Sequence, residues 1–346
     1  MCIRDRLITH ELFPPIVHGG GEKVVYKIAN ELKDRGVEVK IVTTGDPNIK
    51  QYNGIPTFRI PINRYFMNLA VPQIYKYAKD FDIIQTNNYN ACFPSYIAAR
   101  LLKKPVVCLV HGMYGKRWIK MRGLIFGSLS MFIEKFQICH NYDKILFLSD
   151  FARNQAIKIG VRPELTEVLK PGINFKKYKV RKKEPFVLFV GRIAAQKGIR
   201  YLVEAAKRLQ NVKFILVGRA EREIKLLRDA PPNIVYMGFV SEKELLDLYS
   251  RALVFCLPSV GETFGFVILE AMASACSIVS TVPLEYEGFR IEVGNVEQLT
   301  YAINYLIKHQ KEAIKMGKIN REKAKDYRWD KFIDRLIQIY EELLSR

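Results

Sequence analysis

The sequence predicts an α/β protein made of two doubly wound, Rossmann-like domains facing each other across a cleft. Three observations carry this. Short β-branched apolar runs alternate with segments of helical period, which implies parallel sheets covered by helices. The alternation stops at a cationic stretch, Asn174–Pro185, and then restarts. The 346 residues are also long for one core and comfortable for two. The expected division is 1–175, 176–328 and a closing helix, 329–346, packing back toward the first domain.

In the first half, strands are expected at Val37–Thr44, Phe81–Thr86, Pro105–Gly112 and Lys144–Ser149. Glu22–Gly36 reads as a helix: Val24, Val25, Ile28, Ala29 and Leu32 recur at helical spacing, and Gly36 can stop it. Asn174–Pro185 reads as a linker. Beyond it come a strand at Phe186–Gly191, a helix at Ile199–Leu209, strands at Val212–Gly218, Ala252–Ser259 and Ser277–Thr281, and a final helix at Trp329–Leu344. The beginning is anomalous. "MCIRDR" is charged where a first strand should run, so residues 1–6 are expected to be a foreign or misread start.

Composition narrows the class. With 49% apolar residues, 15 Pro and 21 Gly, the chain is globular. No apolar, charge-free run reaches the ~20 residues of a membrane span, and charges interrupt the place of a leader peptide. A cytoplasmic location is expected. Cys2, Cys92, Cys108, Cys139, Cys256 and Cys276 lie far apart with no C-x-x-C pair, so buried reduced thiols are expected rather than zinc or disulfides. The net charge is +20, and residues 1–180 hold 28 Lys+Arg against 14 Asp+Glu. That balance suits an anionic partner: a lipid surface, a phosphorylated acceptor or nucleic acid. No module for reading bases or RNA is recognisable, so nucleic acid is not expected.

Three stretches fall at strand ends, where ligands of such sheets bind. "HGGGEKV" (His18–Val24) places Gly19, Gly20 and Gly21 before a helix, a cradle for an anion or an ordinary turn. "VGRIAAQKG" (Val190–Gly198) places Arg192 and Lys197 where they could clamp a diphosphate, or could be solvated charges. "GETFGFVILEAM" (Gly261–Met272) holds Glu262 in a loop and Glu270 inside an apolar helix, with seven residues between them. The amides of Phe264, Gly265 and Phe266 would open that helix toward a ligand, and both carboxylates could accept sugar hydroxyls. A Glu270 salt bridge is the competing reading.

Two further stretches are open to more than one interpretation. "DFD" (Asp80–Asp82) imitates a metal-binding pair but precedes a strand, at the end remote from a ligand, so no metal is expected. Tyr114–Phe136 combines Lys116, Arg117, Lys120 and Arg122 with Trp118 and several apolar residues. It reads either as a core-packed helix or as a peripheral contact with an anionic membrane.

Together, the glycine loop with Glu22, His111–Gly112, Ser149–Gly160, Pro171–Asn174, Val190–Gly198 and the glutamate pair resemble family-4 glycosyltransferases of the GT-B fold. These are retaining enzymes that use nucleotide-sugar donors. The resemblance implies that Arg192 and Lys197 hold the donor diphosphate, Glu270 the ribose, and Glu262 with the amides of Phe264–Phe266 the transferred sugar. His111 would bond that sugar from the first domain, domain closure would bring it toward Glu262, and Gly19–Gly20 would lie against the phosphates. No cofactor or metal is implied; the partners would be a nucleotide sugar and a glycan or lipid-linked acceptor. The stretch after Ser280–Thr281 departs from the family pattern, being shorter and lacking a glycine pair. The alternatives are an epimerase or phosphorylase on the same architecture, or a catalytically silent nucleotide-sugar binding protein.

Overall fold

The computed structural model describes residues 5–15, 20–220, 224–262 and 264–346. It resolves into two compact units. Unit 1 takes Met1–Gly115, Ser128–Lys170 and Asp330–Arg346, and unit 2 takes Lys116–Gly127 and Pro171–Trp329.

Unit 1 begins with β1 (Asp5–Thr9), α1 (Gly20–Asp34), β2 (Glu38–Thr44), β3 (Gln51–Tyr52) and β4 (Ile55–Ile60). A 3-10 turn at Arg64–Leu69 leads to α2 (Val71–Ala78), β5 (Ile83–Asn87), α3 (Cys92–Leu102) and β6 (Val106–Val110). After α4 (Arg117–Arg122), which with residues 124–127 belongs to unit 2, come α5 (Leu124–Ile138), β7 (Lys144–Phe147), α6 (Asp150–Lys158) and β8 (Thr166–Val168). The eight strands run β3-β4-β2-β1-β5-β6-β7-β8, with only the β3–β4 pair antiparallel.

Unit 2 contains β9 (Glu184–Val190), α7 (Ile199–Arg208), β10 (Lys213–Val217), α8 (Lys225–Arg228), β11 (Ile234–Gly238), α9 (Glu242–Arg251) and β12 (Ala252–Leu257). It closes with α10 (Phe266–Ala273), β13 (Ser277–Ser280), β14 (Gly288–Arg290), α11 (Val296–Lys308) and α12 (Gln310–Ala324). Its six strands are parallel, in the order β11-β10-β9-β12-β13-β14.

Strand order matters for function. In unit 1 the winding reverses between β1 and β5, and in unit 2 between β9 and β12. Right-handed crossovers put helices on opposite faces on either side of such a point, opening a crevice at the strands' carboxyl ends. Sheet order alone therefore marks two places for ligands.

Local chemistry explains the elements. α1 buries Val24, Val25, Ile28, Ala29 and Leu32. It stops where Gly36, at φ 76°, donates to Lys33 and Val37 donates to Leu32. The unexpected element is β1, which starts at Asp5. Arg6 pairs in register with Val39 and Ile83 and is fully buried. Its Nη1 donates to the Asp5 carbonyl at 3.2 Å and its guanidinium lies 4.7 Å from the Tyr340 ring. Nε and Nη2 reach no partner among the described residues. Residues 1–4, with Cys2, lie outside the described residues.

The last helix, α13 (Trp329–Leu344), buries Phe332, Ile333, Leu336, Ile339 and Tyr340. Within unit 1, Arg335 grips Glu167 with two bonds, at 2.6 and 3.0 Å, and the Tyr340 hydroxyl bonds Gln85. Tyr114–Phe136 is not one amphipathic helix: Gly123, at φ 78°, breaks it into α4 and α5. No helix among the described residues is long and apolar enough to cross a membrane.

Candidate functional site

At the reversal in unit 1, His10 follows β1, Asn87 ends β5 and His111 follows β6. The two imidazoles stand edge to face with centroids 5.7 Å apart. The first turn of α1 closes on them: a Cβ on Gly21 would sit 3.5 Å from His10 Nε2 and 3.8 Å from His111. Gly20 is the first residue of α1, and Gly19 lies outside the described residues.

Amides fix the ring of His111. Asn87 Nδ2 donates to the Thr9 carbonyl at 3.0 Å, which leaves Asn87 Oδ1 as acceptor 3.1 Å from His111 Nε2. Nε2 therefore carries the proton of the neutral ring. Asn88 accepts from the His111 amide at 2.9 Å and donates to the Gly112 carbonyl. Burial, helped by His10, pushes the His111 imidazole down to about 3, so it is neutral at physiological pH. Burial lowers His10 too, against the pull of Glu11 and Glu22.

The turn after His111 hangs on one carboxylate from α5. Glu134, 2% exposed, accepts from the Tyr114 and Gly115 amides at 2.9 and 2.8 Å and from the Tyr89 hydroxyl at 3.3 Å. Three donors stabilise its charge at that depth.

Unit 2 brings two strand-end loops together at its reversal. The Gln196 carbonyl accepts from the Val260 amide at 2.8 Å and from the Ser259 hydroxyl at 2.8 Å. Gly198, at φ 74°, passes so close that a Cβ would lie 2.0 Å from the Pro258 carbonyl oxygen. This crossing sets Lys197 against Glu262 as an ion pair, both largely enclosed. Arg117 of α4 donates to the Glu262 carbonyl at 2.7 Å, and a Cβ on Gly261 would strike Met121. Arg192, just past β9, is exposed.

α10 starts at Phe266 behind Gly265 at φ 72°. Phe264 is buried, 5.0 Å from the Phe266 ring and 6.2 Å from Tyr327, ring centre to ring centre. Glu270, half-buried, accepts from the Tyr249 hydroxyl at 2.8 Å. Burial and then the Glu270 charge hold both Tyr249 and Tyr178 well above the ordinary phenol range, so both stay donors.

The shortened stretch after β13 folds back on its own unit. Val282 is fully buried, the Tyr286 hydroxyl donates to the Ser280 carbonyl at 2.9 Å, and Asn320 of α12 accepts from the Glu287 amide at 2.6 Å. Asp82 is engaged at the amino end of β5, where its carboxylate accepts from the Asp5 amide at 3.3 Å. A cavity of about 680 Å³ beside Lys177, Arg181 and Ser241 is built from the linker and α9 rather than from the strand-end loops, and two ion pairs cross it.

Sequence reasoning named Arg192, Lys197, Glu262, Glu270 and His111 as candidates and did not name the residues that hold them. "QTNNYN" (Gln85–Asn90), polar directly after an apolar strand, was the available signal for Asn87, Asn88 and Tyr89. Glu134, Tyr178 and Tyr249 had none, since each is far in sequence from the residue it serves.

Comparison with known proteins fits this geometry. The model described as "Glycosyltransferase Family 4" matches residues 18–177, and "Glycosyl transferases group 1" matches residues 184–309. An uncharacterised glycosyltransferase of Methanocaldococcus jannaschii is 23% identical, covering 96% of this chain and 97% of its own. Sucrose-phosphate synthase of Thermosynechococcus elongatus superposes with a TM-score of 0.83 at 21% identity, over 99% of both chains. Anabaena HepE in complex with UDP gives 0.81 at 19% identity, over 98% of this chain and 100% of that one. HepE has also been solved with UDP-glucose. With both halves matched on either side of the linker, the chain is a family-4-like glycosyltransferase of the GT-B fold.

Proposed function

We propose that the protein is a retaining hexosyltransferase that moves a sugar from a nucleotide-diphosphate donor to a hydroxyl of a glycan or lipid-linked acceptor. The observation that carries this is the meeting of Lys197 and Glu262 at the β9–β12 reversal, beside the start of α10. A diphosphate entering there would take Lys197 and Arg192 as counter-ions and leave Glu262 to sugar hydroxyls. Glu270, oriented by Tyr249, would accept from the ribose. The amides opening α10 at Phe264, Gly265 and Phe266 would serve the sugar, Gly20 the phosphates, and neutral His111 the sugar from unit 1. The leaving diphosphate gains negative charge as its bond to the anomeric carbon breaks, and fixed cations stabilise that charge. The reading asks for no metal or cofactor, places the protein in the cytoplasm, and includes a peripheral contact with an anionic membrane. HepE, crystallised with UDP-glucose, supports the donor class.

Screening nucleotide sugars for thermal stabilisation tests it, because a ligand that binds only the folded chain raises the melting temperature. One nucleotide series should stabilise, and release of its nucleotide should depend on added acceptor and persist in EDTA. Absence of stabilisation by every nucleotide sugar would reject the reading. The silent binding protein draws on two observations: the Lys197–Glu262 pair already satisfies itself, and the short loop after β13 is folded down. Stabilisation without acceptor-dependent release would select it.

A further inference from the structure

Glu262 is held at two places by two elements. Its carboxylate pairs with Lys197, and its carbonyl accepts from Arg117 Nη1 at 2.7 Å. The backbone just before it is fixed as well. The Val260 and Gly261 amides both donate to the Gln196 carbonyl, at 2.8 and 3.3 Å.

Arg117 opens α4, and residues 116–127 share unit 2 with this loop, so the contacts of α4 with it lie within one unit. Arg117 and Met121 are four residues apart and therefore share a face of that helix. Arg117 takes the Glu262 carbonyl, while Met121 lies so close to Gly261 that a Cβ there would stand 2.5 Å from its sulfur. The helix is itself braced. Gly123, at φ 78°, turns the chain and donates to the Ile119 carbonyl at 2.9 Å, and a Cβ on Gly127 would strike the Ile119 backbone.

We propose that Arg117 is a positioning residue for sugar transfer: it fixes the turn that carries Glu262, and its share of that task grows when a donor binds. The inference rests on the glycosyl-transfer reading. The two cations serve Glu262 differently. Lys197 holds a carboxylate, and a diphosphate brings oxygens that compete for the same ammonium. Arg117 holds a neutral backbone oxygen through a planar, rigid donor. Once Lys197 turns to the diphosphate, the Glu262 carboxylate is released to sugar hydroxyls and the turn relies on its backbone ties. A group displaced by about an ångström at a reacting centre loses on the order of 10²-fold in rate. Arg117 and Met121 guard against that displacement.

Steady-state transfer with the nucleotide sugar that stabilises the wild type tests this. Arg117→Met removes the donor and keeps an apolar chain of similar reach. Its kcat should fall about 10–100-fold with donor KM within about threefold and the melting temperature kept. Arg117→Lys retains a cationic donor and should recover about tenfold of the loss. Amide exchange reads the turn without turnover. The Glu262 and Gly265 amides should exchange faster in Arg117→Met, and inorganic pyrophosphate should widen the difference from wild type. A second route leaves Arg117 in place: Gly261→Ala should lower kcat about tenfold by pressing on Met121, and adding Met121→Ala should restore it. A loss confined to donor KM would make Arg117 a ligand group and overturn the proposal. Full activity of Arg117→Met, or unchanged exchange, would do the same. Failure of every nucleotide sugar to stabilise the wild type sinks the donor reading; intact stabilisation and turnover with an unaffected Arg117→Met sinks the positioning alone.

Discussion

The carboxyl ends of the two sheets share a topology and differ in chemistry. In unit 1 the reversal is lined by His10, Asn87, Asn88 and His111: Asn87 and Asn88 bond the ring and the amide of His111, and His10 stands edge to face with it. In unit 2 it is lined by Lys197, Glu262 and Arg192, where charge pairs with charge. Amide donors and acceptors fix both the ring and the backbone of His111. An ion pair can exchange its partner when a charged ligand arrives. One scaffold thus supplies a fixed wall in one unit and an exchangeable one in the other.

The comparison breaks first under acid. Because burial depresses the His111 imidazole, the unfolded chain takes up a proton before the folded one does. The stability this contributes is whole above the ordinary value near 6.5 and drains as the pH falls toward about 3. Melting followed across that window should fall by about 1.4 kcal/mol per pH unit for this one ring, and His111→Gln should flatten the slope. An equally steep variant would show that the ring is not held neutral.

In unit 2, Lys197→Met should lower transfer by about 10²–10³-fold, near 3 kcal/mol of lost charge stabilisation, with the fold retained. A loss confined to KM would mean that Lys197 only recruits the donor. Glu134→Gln should cost about 1–3 kcal/mol, because an amide cannot accept all three donors. Its signature would be a loosened turn at Tyr114–Gly115, read by amide exchange. The smallest effect is a gain: Arg6→Met should raise stability by about 1–2 kcal/mol, since a buried guanidinium with two nitrogens that reach no partner among the described residues gives way to an apolar chain of similar reach. An unchanged or lower melting point would show that the contact with Tyr340 outweighs the desolvation.

Much of this was legible in the chain. The strands whose apolar runs are unbroken, such as Val106–Val110 and Ala252–Leu257, fall where their composition places them. β4 was missed because Pro56 and Arg59 interrupt its pattern. Arg59 is there for a distant task, donating to the carbonyls of Ile49, Phe13 and Pro14. β1 begins earlier than its charge pattern suggests for a similar reason: nothing local reveals that Arg6 lies against a tyrosine more than three hundred residues away.

By itself the sequence determined the alternation of strand and helix, the pause between the halves, and the cations and acids at strand ends. These depend on neighbours within a few turns of chain, and short-range periodicity records them. Tertiary structure alone decided the strand order and its two reversals, the pairing of Lys197 with Glu262, the tyrosine beneath Glu270 and the reach of Arg117 to the Glu262 carbonyl. Those outcomes depend on which distant segments exclude water from one another, a choice made by packing among elements rather than along any one of them.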